Sequence, residues 1–331
     1  MVYIYKKIVG KKPYYYLRSS VRKGTRVGVK DVAYLGSSVK EVRESLGKLP
    51  ALKGKIEKAY RTINLFLESN HFLEQVQRAK PKTDIFLGLN LLDVEACRLH
   101  YSTVFENADR LTKKEILRDF LIEFAFNSTS IEGNTISLKE ARDLLEDGLT
   151  PKGKTLREIY DLQNTEKVFN SLDLAKELTN ELIQSIHSGL MENIDQRVGY
   201  RIRDIIVTRS RFKSSPAYAV KTDMDLLLEW FNKNKGKIHP FVLAVVFHHK
   251  FEKIHPFMDG NGRTGRVLAN FILMKNNYPP LIIRKKIRAD YLDSLSQADN
   301  SPITASEPKD YSNIVHLAAE ELTKTYWRIF L

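Results

Sequence analysis

The chain has almost no cysteine. One thiol, Cys97, among 331 residues excludes an intrachain disulfide framework and a multi-thiolate metal site, and points to a reducing compartment. Long apolar runs are also missing. Those present are short and interrupted, as in Leu87–Leu92, whereas a membrane span needs about 20 residues. No membrane partner is therefore expected. Glycine and proline are sparse, at 16 and 11 residues, which excludes collagen-like and low-complexity classes. With 43% hydrophobic and 28% charged residues, the chain reads as globular and not disordered. The first residues, MVYIYKKIVGKKPYYY, lack a long apolar stretch followed by a small-residue cleavage site, so the expected location is cytoplasmic.

Acidic residues are scarce at one end only. Residues 1–80 hold 18 Lys and Arg against 6 Asp and Glu, a net +12, while the other 251 residues hold 35 against 34, a net +1. An electrostatic partner such as nucleic acid is therefore expected at residues 1–80 alone. Protein docking, oligomerisation and simple solubility are the other readings of that charge.

Along the chain, Val2–Tyr5, Tyr14–Leu17, Arg26–Val29 and Val32–Leu35 are rich in β-branched and aromatic residues. Turn residues at 10–13 and 22–25 separate them. The pattern predicts a small three-stranded antiparallel unit ending at Gly36. Ser37 or Ser38 is the expected N-cap of the next helix, with Glu41 as its capping-box partner. From residue 39 the pattern is mainly helical, with Lys80-Pro81-Lys82 as the expected linker. Helices are predicted near 90–107, 112–128, 137–147, 155–175, 179–193, 222–234, 240–254, 263–276, 288–298 and 308–329. One interruption is predicted: 205–208 and 217–220 read as strands of a hairpin.

The segment His255-Pro256-Phe257-Met258-Asp259-Gly260-Asn261-Gly262-Arg263-Thr264-Gly265-Arg266 reads as a helix end, a tight loop and a new helix. Pro256 cannot continue the first helix. Gly260 and Gly262 permit unusual backbone angles and close ligand approach. With the first amides of the next helix they can form an anion-binding nest. Asp259 is a hard oxygen ligand suited to Mg²⁺. Arg263 and Arg266 can both reach phosphate oxygens. His255 is the group that can take a proton near neutral pH. Together they describe a phosphate-transfer site.

This segment resembles the Fic family signature H-P-F-x-[D/E]-G-N-G-R-x-x-R at every fixed position. Further likeness lies in His248, Phe251, Glu252 and Ile254 before it, Gly199-Tyr200-Arg201 ahead of the hairpin, and Arg288 with Tyr291 behind it. The resemblance covers roughly residues 115–298. A second segment, Ser128-Thr129-Ser130-Ile131-Glu132-Gly133-Asn134, resembles the family's inhibitory motif [S/T]-x-x-x-E-[G/N], with Ser128, Glu132 and Gly133 at its defining positions.

The resemblance implies a mainly α-helical Fic fold with a β-hairpin flap. With the strand pattern and the charge distribution, it divides the chain into a basic β unit (1–36), a helical accessory or linker region (37–111) and a Fic domain (112–331). It also implies transfer of AMP from ATP to a hydroxyl of a target protein: a Ser, Thr or Tyr. Carried over by residue, His255 is the base and Asp259 holds Mg²⁺. Asn261 with the Gly260 and Gly262 amides positions the phosphates, while Arg263 and Arg266 neutralise them. Phe257 anchors the loop, and Glu132 pairs with Arg266 where the γ-phosphate would lie. The flap, with Ile206, Val207, Thr208 and Tyr218, aligns the target by strand addition. Self-modification and a homo-oligomer are further expectations. Removal of AMP by the same residues is an alternative, and a nucleic-acid-bound regulator with a vestigial core is an alternative of another class. A zinc hydrolase using His248, Glu252 and His255 is the rival enzyme; it lacks the H-E-x-x-H spacing and gives the two arginines no role.

Overall fold

The computed structural model describes all residues except 1, 11, 24, 25, 198 and 206–212, and describes Lys23, Arg26 and Val27 by backbone alone. Two units arise, residues 1–81 with Leu331, and residues 82–330.

In the first unit, strand-forming residues recur with a period of two. They build an antiparallel sheet in the order β1 (Val2–Val9), β2 (Lys12–Lys23), β3 (Arg26–Gly36). Register runs from Val2 opposite Ser19 to Val9 opposite Lys12, and from Tyr15 opposite Gly36 to Lys23 opposite Arg26. Successive side chains point to opposite faces. Val2, Ile4, Tyr15, Leu17 and Leu35 are buried on one face. They share a core with Val39, Val42, Ala59, Ile63 and Leu67 from helices α1 (Val39–Gly47), α2 (Lys53–Lys58) and α3 (Tyr60–Ala79) and the turns between them. A lone three-stranded sheet has nothing against which to bury its apolar face. The division expected at residue 36 is therefore not where cores separate; the first core closes with α3, and the units part at Pro81. Ser38 is the N-cap of α1 and accepts from Glu41 N at 3.3 Å. The Glu41 carboxylate accepts from Ser37 N at 2.9 Å, one residue outside a strict capping box.

The second unit is helical: α4 (Leu91–His100), α5 (Arg110–Ile131), α6 (Leu138–Asp147), α7 (Leu156–Asn170), α8 (Asn180–Leu190), α9 (Val220–Asn234), α10 (Pro240–Ile254), α11 (Asn261–Lys275), α12 (Arg288–Ala298) and α13 (Pro308–Ile329). Residues 82–111, expected as part of a linker region, belong to this unit. His100 Nδ1 of α4 and the Tyr326 hydroxyl of α13 lie 2.6 Å apart, both buried. Reciprocal capping boxes start α6 (Ser137 with Glu140) and α7 (Thr155 with Glu158). At the centre, α10 is buried from Phe241 to Phe251 and α11 from Asn261 to Leu273. The two form the antiparallel pair that presents their connecting loop.

The hairpin expected at 205–208 and 217–220 needs correction in its second half. Residues 217–219 form a short 3₁₀ turn that runs into α9, and Tyr218 is 90% exposed there. Val220 is the first member of the buried stripe Val220, Met224, Leu227, Phe231, so helical burial overrides its β-propensity. In the first half, Ile206, Val207 and Thr208 lie outside the described residues.

Candidate active site

Helix α10 ends where Pro256 removes the next donor. His255 is its C-cap, in the left-handed region at φ +53°, a conformation that costs a non-glycine residue energy unless its surroundings hold it. Arg201 holds it. The Arg201 Nε donates to the His255 carbonyl at 2.8 Å, and its backbone N donates to the Pro256 carbonyl at 2.9 Å. The His255 Nδ1 lies 3.3 Å from the Glu252 carbonyl. A carbonyl only accepts, so Nδ1 carries the hydrogen and Nε2 the lone pair. Burial depresses the His255 pKa below its usual 6.5, and the nearby Arg201 adds to this; the Glu252 carbonyl, Glu132 and Asp259 oppose it without reversing it. The imidazole is therefore neutral at pH 7.

The rest of the loop is braced from below. Phe257 is fully buried, with its ring stacked on His187 of α8 at 3.6 Å and 4°. The His187 Nε2 donates to the Asp259 carbonyl at 3.0 Å. Asn261 accepts from Phe257 N and donates to Phe257 O, both at 2.9 Å. Its side chain thus closes the loop on itself. Phe257→Ala should cost about 3–5 kcal/mol of stability, read by urea unfolding. A much smaller loss would mean that His187 and Tyr200 close over the gap.

Asp259 stands at the mouth, its side chain 33% exposed. One carboxylate oxygen accepts from Gly260 N at 2.6 Å, and the other pairs with Arg157 of α7. Burial would raise its pKa, but Arg157 and Arg263 hold it below the usual carboxylate range. Among the described residues no group of three or more His, Cys, Asp or Glu is placed to hold a metal. A single charged carboxylate fits Mg²⁺ delivered with nucleotide phosphates, which supply most of its ligands. It does not fit a protein-caged zinc. His248 Nε2 lies 2.6 Å from the Tyr291 hydroxyl, and its Nδ1 is 3.9 Å from Glu252.

The two arginines go to different partners. Arg263 is buried, pairs with Asp161 of α7, and keeps Asp259 at 3.8 Å. The two arginines expected to reach phosphate oxygens are thus held by different carboxylates, Arg263 by Asp161 and Arg266 by Glu132. Arg266, also buried, donates from Nε to Ser128 Oγ at 2.9 Å, and from Nη2 to Ser128 O and Glu132 Oε1, both at 2.8 Å. Burial would lower its pKa, but Glu132, Tyr291 and Glu252 together raise it. Behind it, burial pushes the Glu252 carboxyl up to about 8 against the pull of Arg266.

Glu132 caps the C-terminal end of α5, the end where a helix dipole disfavours a carboxylate. The side chain turns instead to the start of α11. A Cβ added at Gly262 would lie 1.9 Å from Glu132 Oε1, so the carboxylate sits in the hollow that this glycine leaves. Gly260, at φ +75°, is the N-cap of α11 and would collide with Met191 Sδ at 2.6 Å if it carried a Cβ. Gly133 follows Glu132 at φ +108°. Arg288 Nε donates to the Ile131 carbonyl at 2.7 Å, and Lys285 N to Asn127 Oδ1 at 2.9 Å, which fixes the end of α5. The site thus brings together a neutral imidazole, a charged carboxylate, the start of α11 with Glu132 against Gly262, and a buried arginine. Residues that sequence reasoning missed are His187, Arg157 and Asp161. His187 lies in the apolar stripe Ile183, Ile186, Leu190 and reads there as core.

Residues 177–273 match the model of the Fic/DOC family. The chain is 33% identical over 194 residues to protein adenylyltransferase fic-1 of Caenorhabditis elegans, covering 56% of this chain and 38% of that one. It is 31% identical over 202 residues to protein adenylyltransferase Fic of Nematostella vectensis, covering 59% and 47%. The chain therefore spans less than half of the length of these curated relatives. Its fold matches that of a Fic domain containing signaling protein from Bacteroides thetaiotaomicron, at TM-score 0.64 and 23% identity, covering 71% of this chain and 95% of that one.

Proposed function

Because the chain carries a Fic-family domain, we propose that it is a protein adenylyltransferase that moves AMP from ATP to a side-chain hydroxyl of a protein. One arrangement carries this reading. The neutral His255 belongs to the loop that opens α11, and the hollow at Gly262 already holds an anion, the Glu132 carboxylate, on Arg266. The names of the relatives, protein adenylyltransferases, agree with it.

In this mechanism the His255 Nε2 takes the proton of the target hydroxyl as its oxygen attacks the α-phosphorus. The bond from that phosphorus to the bridging oxygen breaks, and pyrophosphate leaves with the electron pair. Arg266 and the first amides of α11 stabilise the charge on the leaving phosphates, so catalysis is positioning plus electrostatics. Asp259 would hold Mg²⁺, which offsets the negative charge of the phosphate chain. Arg263 acts through Asp161 and Asp259, keeping the loop in place. Glu132 occupies the position that the terminal phosphate needs, so the resting protein is autoinhibited. The segment 205–220 is the proposed docking site for the target. Incubation with labelled ATP·Mg²⁺ and mass spectrometry should find AMP esters on Ser, Thr or Tyr, first on the protein itself. Loss of AMP from a modified target instead would reassign Glu132 to orienting water.

The depressed His255 pKa sets a sign for the pH profile. Protonation removes the lone pair, so kcat/KM should fall as pH drops through the folded pKa. The acid limb should be centred below pH 6.5, with a plateau across pH 7–8. Initial rates from pH 5 to 8 measure it, and a limb centred above pH 7 would point to another base.

A further inference from the structure

The outer face of the β1–β3 sheet has no part in the reaction proposed above. Val2, Ile4, Tyr15 and Leu17 fill the inner face, so by alternation the central strand turns Lys12, Tyr14, Tyr16, Arg18, Ser20 and Arg22 outward. Register adds Tyr3 opposite Arg18, Tyr5 opposite Tyr16 and Lys7 opposite Tyr14 on β1, and Tyr34 opposite Tyr16 on β3. Five tyrosines thus share one face. Tyr34 is 54% exposed, and its ring centroid lies 5.4 Å from Tyr16 and 6.5 Å from Tyr14. Arg18 lies over Tyr5 at 3.3 Å from the ring centroid and pairs with Asp31. Lys7, Lys12 and Arg22 are exposed. Against four cations the described part of this face sets one acid, Asp31.

We propose that this face binds single-stranded nucleic acid, with phosphates on the cations and unstacked bases on the tyrosines. Charge complementarity commits the face to a polyanion, since nearly all of the net charge lies in residues 1–80. The alternation of rings and cations commits it to a polymer that offers a flat π-face and an anion in every repeat. Spacing favours single strands. Same-face residues on a strand are about 6.7 Å apart, roughly twice the 3.4 Å rise per nucleotide of a stacked strand. A nucleic acid laid along β2 must therefore unstack to reach successive tyrosines.

The test is fluorescence anisotropy of the full chain with labelled oligothymidylate and oligouridylate of about 20 nucleotides, starting near 50 mM salt. Binding is expected with a log–log salt slope of about −2 to −3, from about −0.7 per phosphate neutralised on a single strand. Tyr14→Ala and Tyr16→Ala should each weaken it roughly five- to a hundredfold with the slope unchanged, and Tyr16→Phe should keep it. Lys12→Ala should reduce the slope by about 0.7. Thermal melts should show the tyrosine variants folded, and their AMP transfer should equal wild type, which separates this idea from the enzymatic one. Three results overturn it: no anisotropy change at low salt, tighter binding to a duplex of the same length, or tyrosine variants that bind like wild type.

Discussion

His255→Ala should lower AMP transfer by roughly 10²–10⁴, the usual contribution of a positioned general base, while ATP still binds. The two effects separate because in the proposed mechanism the phosphates meet Arg266 and the α11 amides, not the imidazole. The backbone needs a control. His255 sits at φ +53°, a region that alanine adopts at some cost and asparagine more readily. His255→Asn should therefore keep the loop shape, yet it offers no base of suitable pKa and should be as inactive as the alanine variant. Saturating ATP with single-turnover quantification of AMP on the target measures the step itself. Near wild-type transfer by both variants would remove His255 from the chemistry.

Glu132→Gly should raise AMP transfer by roughly ten- to a hundredfold. A charge-assisted contact such as Arg266 with Glu132 contributes about 1.5–3 kcal/mol, and 1.4 kcal/mol is about tenfold in a population. The Glu132 side chain is 45% exposed, so solvent screening places the effect toward the lower end. Glu132→Gln removes the charge but keeps the bulk in the Gly262 hollow, and should gain less than glycine. Adding Arg266→Ala to Glu132→Gly should abolish the gain, because the released guanidinium is the group proposed to meet the phosphate. ADP, which lacks the terminal phosphate, should bind wild type and Glu132→Gly about equally by calorimetry. Equal transfer rates in wild type and Glu132→Gly would return Glu132 to an ordinary helix end.

The parts of the molecule written in local pattern were legible in the chain. The period-two alternation of Val2, Ile4, Tyr15 and Leu17 set the sheet, and apolar periodicity near 137–147 and 155–175 set α6 and α7. The loop from His255 to Arg266 was legible because its constraints are local: a proline stop, two glycines and fixed spacing. What was not legible depends on distant partners. Arg263 and Asp161 lie 102 residues apart, and nothing near Arg263 says that it will leave Arg266 for α7. Nor does anything near Val220 say whether it packs as strand or helix until Met224, Leu227 and Phe231 line up behind it. That the sheet's core runs on through Leu67 was not legible for a related reason: turn chemistry marks where a sheet stops, not which helices its buried face requires.

The hollow at Gly262 makes the proposed control lopsided under mutation. In the proposed mechanism the same atoms on α11 serve both states: Gly262 must be bare to admit the Glu132 carboxylate it faces or a phosphate, and Arg266, which holds Glu132, must be present to hold either. Substitutions there lose the enzyme along with its brake. On α5, Glu132 and Ser128 contact Arg266, and the proposed mechanism gives neither a role toward the nucleotide. Constitutively active variants should therefore cluster in the last turn of α5, a handful of positions, and inactive ones should spread across the loop. Under the proposed control, a lineage would shed the restraint in one step from that helix end, but not from the catalytic side.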